Sequence, residues 1–321
     1  MVIKKKKQIT IGYSTHRPES LPFASELMAS HDIIVLEDPP TPGFEDMLKS
    51  QITIEQYLQN TDTEYPEFAF GLCHLIREEY KQGKKIFQVD PFIENLLMIH
   101  EFFADGGSPD QIAPGTLMFN VYQAEKHATG RLLEFYKASV HSGFEKVVET
   151  VKNFAKSDAG RFQLRDKLRA HALAKLVTPF SSVYVEAGEI HIALFKELRK
   201  RLPSEVSIKP YFIMEPVYKQ LSGKRHIFGP GDILTLHYIF HPHLKNPLLD
   251  ILASRSLIYN KLLEKDEMIN SPDSNPHTRN EVETIDKVNA LNQDDCKSLF
   301  SKIRLVSSTK ARRIVYEYLE N

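Results

Sequence analysis

Asp32-Ile-Ile-Val-Leu-Glu37-Asp-Pro-Pro-Thr-Pro-Gly43 is the stretch that decides how this chain folds. Four consecutive apolar residues without polar alternation suit a strand buried on both faces, as in a parallel sheet covered by helices. The run ends on an acid, and three prolines and a glycine then force a loop. A carboxylate at the end of such a strand needs a partner, because burying it alone is costly.

Upstream, residues 8–12 form a short β-rich run. It leads into Gly12-Tyr-Ser-Thr-His16-Arg-Pro-Glu-Ser20, where Ser20 caps a helix reaching Ser30. Downstream, helices are expected over 44–59 and 65–81, the second stopped by Gly83. Lys84-Lys-Ile-Phe-Gln-Val-Asp90-Pro91 reads as a third strand, followed by a helix over 92–104. Nothing between 116 and 176 resembles a strand. That region reads as two to four helices, broken near Gly143 and Asp158-Ala-Gly160, forming a helical insertion or cap. Ser181-Ser-Val-Tyr-Val-Glu-Ala-Gly188 is a fourth strand, with Gly188-Glu-Ile-His191 turning into a helix over 191–202.

This alternation implies an α/β fold with a mainly parallel sheet flanked by helices. The apolar runs 206–214 and 232–240 extend the sheet in this reading. A helix over 246–264, an exposed linker over 268–282 and short helices from 283 complete a helical C-terminal extension. The expected division is a core over 1–204 and a second region over 205–321.

The 321 residues are 42% hydrophobic and 26% charged, which suits a globular chain able to bury a core. A net charge of -1 gives no reason to expect nucleic acid or an acidic membrane as partner. Cys73 and Cys296 lie far apart, so no disulfide framework is expected and a reducing compartment is the simpler reading. The lysines at 4–7 form a solvated tail, and the polar alternation after them is unlike a signal peptide. No segment approaches the roughly 18 apolar residues of a membrane span. The expected location is the cytoplasm.

In open parallel sheets, ligands bind beyond the carboxyl ends of the strands. Polar groups stand there after each of four strands: His16, Glu37, Asp90, and Glu189 with His191. His16 reads as a general base or metal ligand, or as a loop histidine bonded to backbone. Glu37 reads as orienting a histidine or holding a metal, or as capping a helix or pairing with Arg17. Asp90, before Pro91, reads as a helix cap. His191 sits where a helix N-terminus lowers a histidine's basicity, and Gly188 permits close approach of a ligand, so His191 reads as a base or ligand, or as a first-turn residue pointing to solvent. The histidine-rich His237-Tyr-Ile-Phe-His241-Pro-His243 reads as a surface loop, and no Walker, GxGxxG or HExxH pattern occurs.

Across residues 8–202 the chain resembles the group containing erythromycin-esterase, ChaN-like and TraB/Tiki-like proteins. Four places carry the resemblance: Gly12-Tyr-Ser-Thr-His16, Ile33-Ile-Val-Leu-Glu37, Arg165-Asp-Lys-Leu-Arg-Ala170, and Val183-Tyr-Val-Glu-Ala-Gly188-Glu-Ile-His191. The resemblance implies a catalytic or binding centre from His16, Glu37, Arg165 and His191. Esterase relatives activate water, Tiki-like relatives use a divalent metal, and ChaN-like relatives bind haem. Esterase- and ChaN-like members carry Glu after the first glycine, where this chain has Tyr13, an alternative tetrapyrrole ligand or a packed aromatic.

Three functions emerge as expectations. The first is a hydrolase of an ester, amide or short peptide. In it His16 or His191 is the base, Glu37 orients it or joins His16 and His191 on a divalent metal, and Arg165 meets negative charge. The second is a non-catalytic haem or anionic small-molecule binding protein, with Tyr13, His16 and Arg165 gripping the ligand and Gly12 and Gly188 also at the cofactor. The third is a regulatory protein acting through its helical regions.

Overall fold

The computed structural model describes residues 7–59, 61, 63–243, 246–268 and 274–320. The chain divides into two compact units. The first comprises 1–112, 164–226 and 267–276, and the second 113–163, 227–266 and 277–321. The helices expected as a cap on the sheet therefore group with the C-terminal helices, and the α/β unit is assembled from separated segments.

In the first unit the elements run β1 (Gln8–Ser14), α1 (Leu21–Ala29), β2 (Ile33–Leu36), α2 (Phe44–Leu48), α3 (Ile54–Leu58), α4 (Pro66–Lys81), β3 (Lys85–Gln88) and α5 (Pro91–Ala104). Two long helices come next: α6 (Leu117–His141) lies in the second unit, while α7 (Phe144–Leu176) begins there and ends in the first. Then come β4 (Ser182–Gly188), α8 (Ala193–Arg201), β5 (Ser207–Phe212) and α9 (Glu215–Ser222). The second unit closes with α10 (Pro230–Phe240), α11 (Leu248–Leu262), α12 (Pro276–Asn289), α13 (Gln293–Ile303) and α14 (Ser308–Glu320). Within it α11 packs against α10, α13 and α14. No helix among the described residues is long and apolar enough to cross a membrane.

The five strands are all parallel, in the order β3-β2-β4-β1-β5. Side chains alternate across the sheet. On one face Ile9, Ile11, Tyr13, Val183, Val185, Ala187, Ile33 and Val35 join Ala170 and Leu173 of the α7 end, Val177 just beyond it, and Leu194 and Leu198 of α8 in one core. On the other face His31, just after α1, bonds Thr10 Oγ1 at 2.8 Å and packs its ring against Tyr184. The chain leaving β4 thus turns to one face, while the chain leaving β1 turns to the other. Adjacent strands that diverge in this way open a crevice at their carboxyl ends.

The run 206–214 does extend the sheet, as the edge strand β5, where Pro210 is tolerated. The run 232–240 does not; it is helix α10. Pro230 occupies its first turn, and the Asp232 carboxylate accepts the Gly229 N–H at 3.2 Å, so helix-start chemistry overrides the apolar run. The helix expected over 44–59 divides into α2 and α3 at Ser50, whose φ is +59°. The expected break at Gly143 is present, but the one at 158–160 is absent. Ala155 and Ala159 are buried there, and Asp158 pairs with Arg161 one turn on at 2.7 Å. Part of the linker expected over 268–282 lies outside the described residues, and α12 takes up its end from Pro276. Residues 4–6 of the lysine tail also lie outside them.

Two glycines test this architecture in opposite directions. A Cβ at Gly12 would stand 2.5 Å from the Tyr184 ring, which fills the space a side chain would need. Gly12→Ala is expected to lower stability by about 1–3 kcal/mol through overpacking. Gly160, inside α7, has nothing within 4 Å of a built Cβ. Gly160→Ala is expected to raise stability by about 1 kcal/mol. Urea midpoints of the two variants, moving in opposite directions, are the check.

Candidate active site

The site begins with Glu37, one residue beyond β2. Its side chain is 4% exposed and carries three basic partners. Oε1 lies 3.0 Å from His191 Nε2 and 3.1 Å from Arg165 Nη2, and Oε2 lies 3.7 Å from Arg169 Nη1. The Gly188 N–H donates to Oε2 as well. These groups hold the Glu37 carboxyl well below the usual carboxylate range, against the burial that opposes ionisation.

The cations come from α7, one turn apart. Arg165 donates from Nε to Asp90 Oδ2 at 2.7 Å, with Nη2 2.6 Å from the same oxygen. Arg169 is fully buried; its Nε donates to the Val89 carbonyl at 2.9 Å and its Nη2 to the Glu186 carbonyl at 2.6 Å. Asp90 has the role expected of it, capping α5 by accepting the Phe92 and Ile93 N–H groups at 3.1 Å each. Its other oxygen anchors Arg165, so the cap also positions a cation of the site.

His191 is the second hub. Its Nδ1 lies 2.5 Å from Asp166 Oδ1, and its Nε2 faces Glu37. Both ring nitrogens meet carboxylates, and the residue is 3% exposed. Burial disfavours the imidazolium, but Glu37 and Asp166 together overcome it and lift the His191 pKa to about 9. A helix N-terminus alone would have lowered it. At neutral pH His191 is therefore a buried cation that fixes Glu37.

His16 differs in every respect. It follows β1 with a φ of +52°, a left-handed conformation uncommon for a non-glycine residue. Ser14 holds the turn, its Oγ accepting the His16 N–H at 3.1 Å. The ring is 34% exposed, rests against Phe68 at 5.5 Å between centroids, and brings Nε2 to 3.9 Å from Glu186 Oε1. Desolvation lowers its pKa, so His16 is neutral at pH 7.

Two further carboxyls adjoin it. Glu186, on β4, is 4% exposed and accepts the Glu37 N–H at 3.3 Å. Burial, with Glu37 adding to it, pushes its pKa up to about 7. Asp38 is pushed to about 7 by burial and by Glu186 and Glu37. One carboxylate held ionised and two acids poised near neutrality is the kind of separation that assigns acid and base roles.

The three residues expected from sequence, His16, Glu37 and His191, converge on Gly188. A Cβ there would stand 3.5 Å from His16 Cε1, 3.5 Å from His191 Cδ2 and 3.6 Å from Glu37 Oε2. Arg165 is part of the same cluster. Gly12 and Tyr13 do not act as expected for a cofactor. Gly12 makes room for the Tyr184 ring, and Tyr13 is 1% exposed in the core, packed on Phe212, with its hydroxyl kept protonated by burial. That phenol belongs to the core face and does not suit a haem ligand. Nor do the residues fit a divalent metal on His16, Glu37 and His191, because His191 commits both nitrogens to carboxylates. Among the described residues no group of three or more His, Cys, Asp and Glu side chains is arranged to hold a metal ion.

Four members were missed from sequence: Asp38, Asp166, Arg169 and Glu186. Glu186 carried the same signal as Glu37, a carboxylate in an apolar strand between Val185 and Ala187. Asp166 and Arg169 sit three apart on a helix, a spacing equally common on solvated faces, so nothing local marked them as buried.

No family model matches the chain, and no solved structure matches it. A protein of Archaeoglobus fulgidus described as "Uncharacterized protein" is 29% identical over 291 residues, covering 90% of this chain and 97% of its own length.

The His191 pair makes stability depend on pH with a definite sign. A group whose folded pKa is raised contributes stability fully present below its unfolded value, about 6.5 for histidine, and lost as pH rises through about 9. The urea midpoint is expected to fall across that window. In Asp166→Asn, which removes one carboxylate from the imidazolium, the midpoint is expected to start lower at pH 7 and decline less steeply. A variant as steep as the parent would show that Asp166 does not hold the proton on His191.

Proposed function

We propose that this chain is a hydrolase of an ester, amide or short-peptide substrate, with His16 as general base. The observation that carries this reading is a neutral, partly exposed histidine, 3.9 Å from a buried carboxyl with a pKa of about 7, at the carboxyl edge of a parallel sheet. The left-handed backbone of His16 adds support, since strained residues gather at functional sites. The resemblance to erythromycin-esterase-like proteins points the same way for His16, Glu37, Arg165 and His191.

In this reading His16 takes a proton from water as the water oxygen bonds to the substrate carbonyl carbon. The carbonyl oxygen becomes an oxyanion, which the partly exposed Arg165 guanidinium stabilises. Glu186, in its protonated form, gives its proton to the leaving oxygen or nitrogen as the bond to carbon breaks. His16 then returns the water proton to Glu186, and the cycle closes without any other reactant. Glu37 does not touch water in this scheme. It is a positioning residue, fixed by Arg169, His191 and the Gly188 N–H, and it holds Arg165 in turn.

The acid and base assignments set the pH profile. His16 works when deprotonated, above its lowered pKa, and Glu186 works when protonated, below about 7. The kcat/KM profile on an ester and dipeptide panel is expected to be bell-shaped, falling on the alkaline side near pH 7. His16→Ala is expected to lose at least about 100-fold in kcat. Glu186→Gln is expected to lower kcat and abolish the alkaline limb. Activity unchanged in His16→Ala would end this reading.

A further inference from the structure

Beside His16 lie two buried polar atoms that no protein group satisfies. Thr15 Oγ1 and Arg17 Nη1 are both buried without a hydrogen-bond partner. They flank the candidate base in sequence, in the loop that leaves β1. Buried donors are almost always satisfied, and an orphan costs its full desolvation, so two in one loop call for an explanation.

The loop is fixed from below by the start of α4. The Arg17 guanidinium carbon stands 3.6 Å over the Tyr65 ring, and the His16 ring packs on Phe68. Tyr65 is the residue just before α4 and Phe68 lies in its first turn, so one short stretch of chain supports both the base and its neighbouring cation. Stacking on an aromatic face holds a guanidinium in place without neutralising it. Arg17 differs here from Arg165 and Arg169, which meet Glu37 and Asp90. Arg17 has no ion pair with any acid among the described residues, and the pairing with Glu37 considered from sequence is not made.

We infer that Arg17 and Thr15 form an anion subsite beside His16, and that the substrate carries a free carboxylate which they bind. A carboxylate oxygen supplies the acceptor that Arg17 Nη1 and the Thr15 hydroxyl lack, and a charge-assisted bond to guanidinium is the stronger kind. This inference rests on the hydrolase reading for what happens to the substrate, but not for the binding.

The test pairs activity with binding. Monomethyl succinate and methyl butyrate differ chiefly in the carboxylate, and succinate serves as the calorimetric probe. The parent chain is expected to prefer monomethyl succinate in kcat/KM and to bind succinate. Arg17→Met, which keeps contact with the Tyr65 ring, is expected to reduce that preference and the succinate affinity by at least about tenfold, the scale of one charged hydrogen bond. Arg17→Lys, which keeps the charge and tests for mere loss of folding, is expected to fall between the two. His16→Ala is expected to lose hydrolysis and keep succinate binding. If neither ester is hydrolysed but succinate binding depends on Arg17, the hydrolase reading fails and the subsite stands. Equal ester preference in parent and Arg17→Met, or a parent that binds no succinate, overturns the subsite.

Discussion

The ionised carboxylate of Glu37 is the constraint around which the sheet edge is built. A carboxylate this deeply buried survives only with compensating charge and hydrogen bonds. Here they arrive from three separate elements: Arg165 and Arg169 on α7, His191 beyond β4, and the Gly188 N–H at the end of β4. Each partner is then held by something else. Asp90 fixes Arg165, the Val89 and Glu186 carbonyls fix Arg169, and Asp166 fixes His191. The network ties together the carboxyl ends of β2 and β4, the residues just after β3 and the last turns of α7. Removing Glu37 would take one carboxylate from Arg165 and His191 and leave Arg169 without its ion pair.

That network also explains why the two histidines of the site cannot be exchanged. His191 sits between two carboxylates and keeps its proton; His16 faces a carboxyl that is itself poised near neutrality and stays uncharged. With Glu37 saturated by cations, buried Glu186 and half-buried Asp38 lose hydration without gaining a cation of their own, and desolvation, with the neighbouring carboxylates adding to it, raises their pKa values to about 7. The chemistry of the site thus depends on where the positive charge is already spent. The strand order matters in the same way. Because β4 lies between β2 and β1, Gly188 at its end meets Glu37 from the loop after β2 and His16 from the loop after β1.

The helical unit obeys simpler rules. Asp232 and Pro230 start α10 where apolar content alone suggested a strand, and α7 runs unbroken through a glycine because neighbouring alanines are buried. In the first, helix-start chemistry outweighs a pattern read by hydrophobicity; in the second, packing outweighs a glycine breaker signal.

The sequence by itself determined the four parallel strands 8–14, 33–36, 85–88 and 182–188 to within a few residues, and the edge at which His16, Glu37 and His191 meet, while Arg165 was pointed to only by the family resemblance. It could do so because unbroken apolar runs ending on a polar residue are local signals of a buried strand and its loop. It did not determine which residues pair across that edge. Asp166 and Arg169 look like ordinary helix-surface charges until α7 lies on the sheet, and Tyr13 reads as a ligand or a core residue until its strand face is known. Nor could spacing tell that His191 would be charged and His16 neutral, since a histidine's charge is set by groups distant in sequence and close in space. Those assignments, and with them the chemistry, were decided by the tertiary structure, because electrostatic energy depends on distance and burial, which one-dimensional order does not contain.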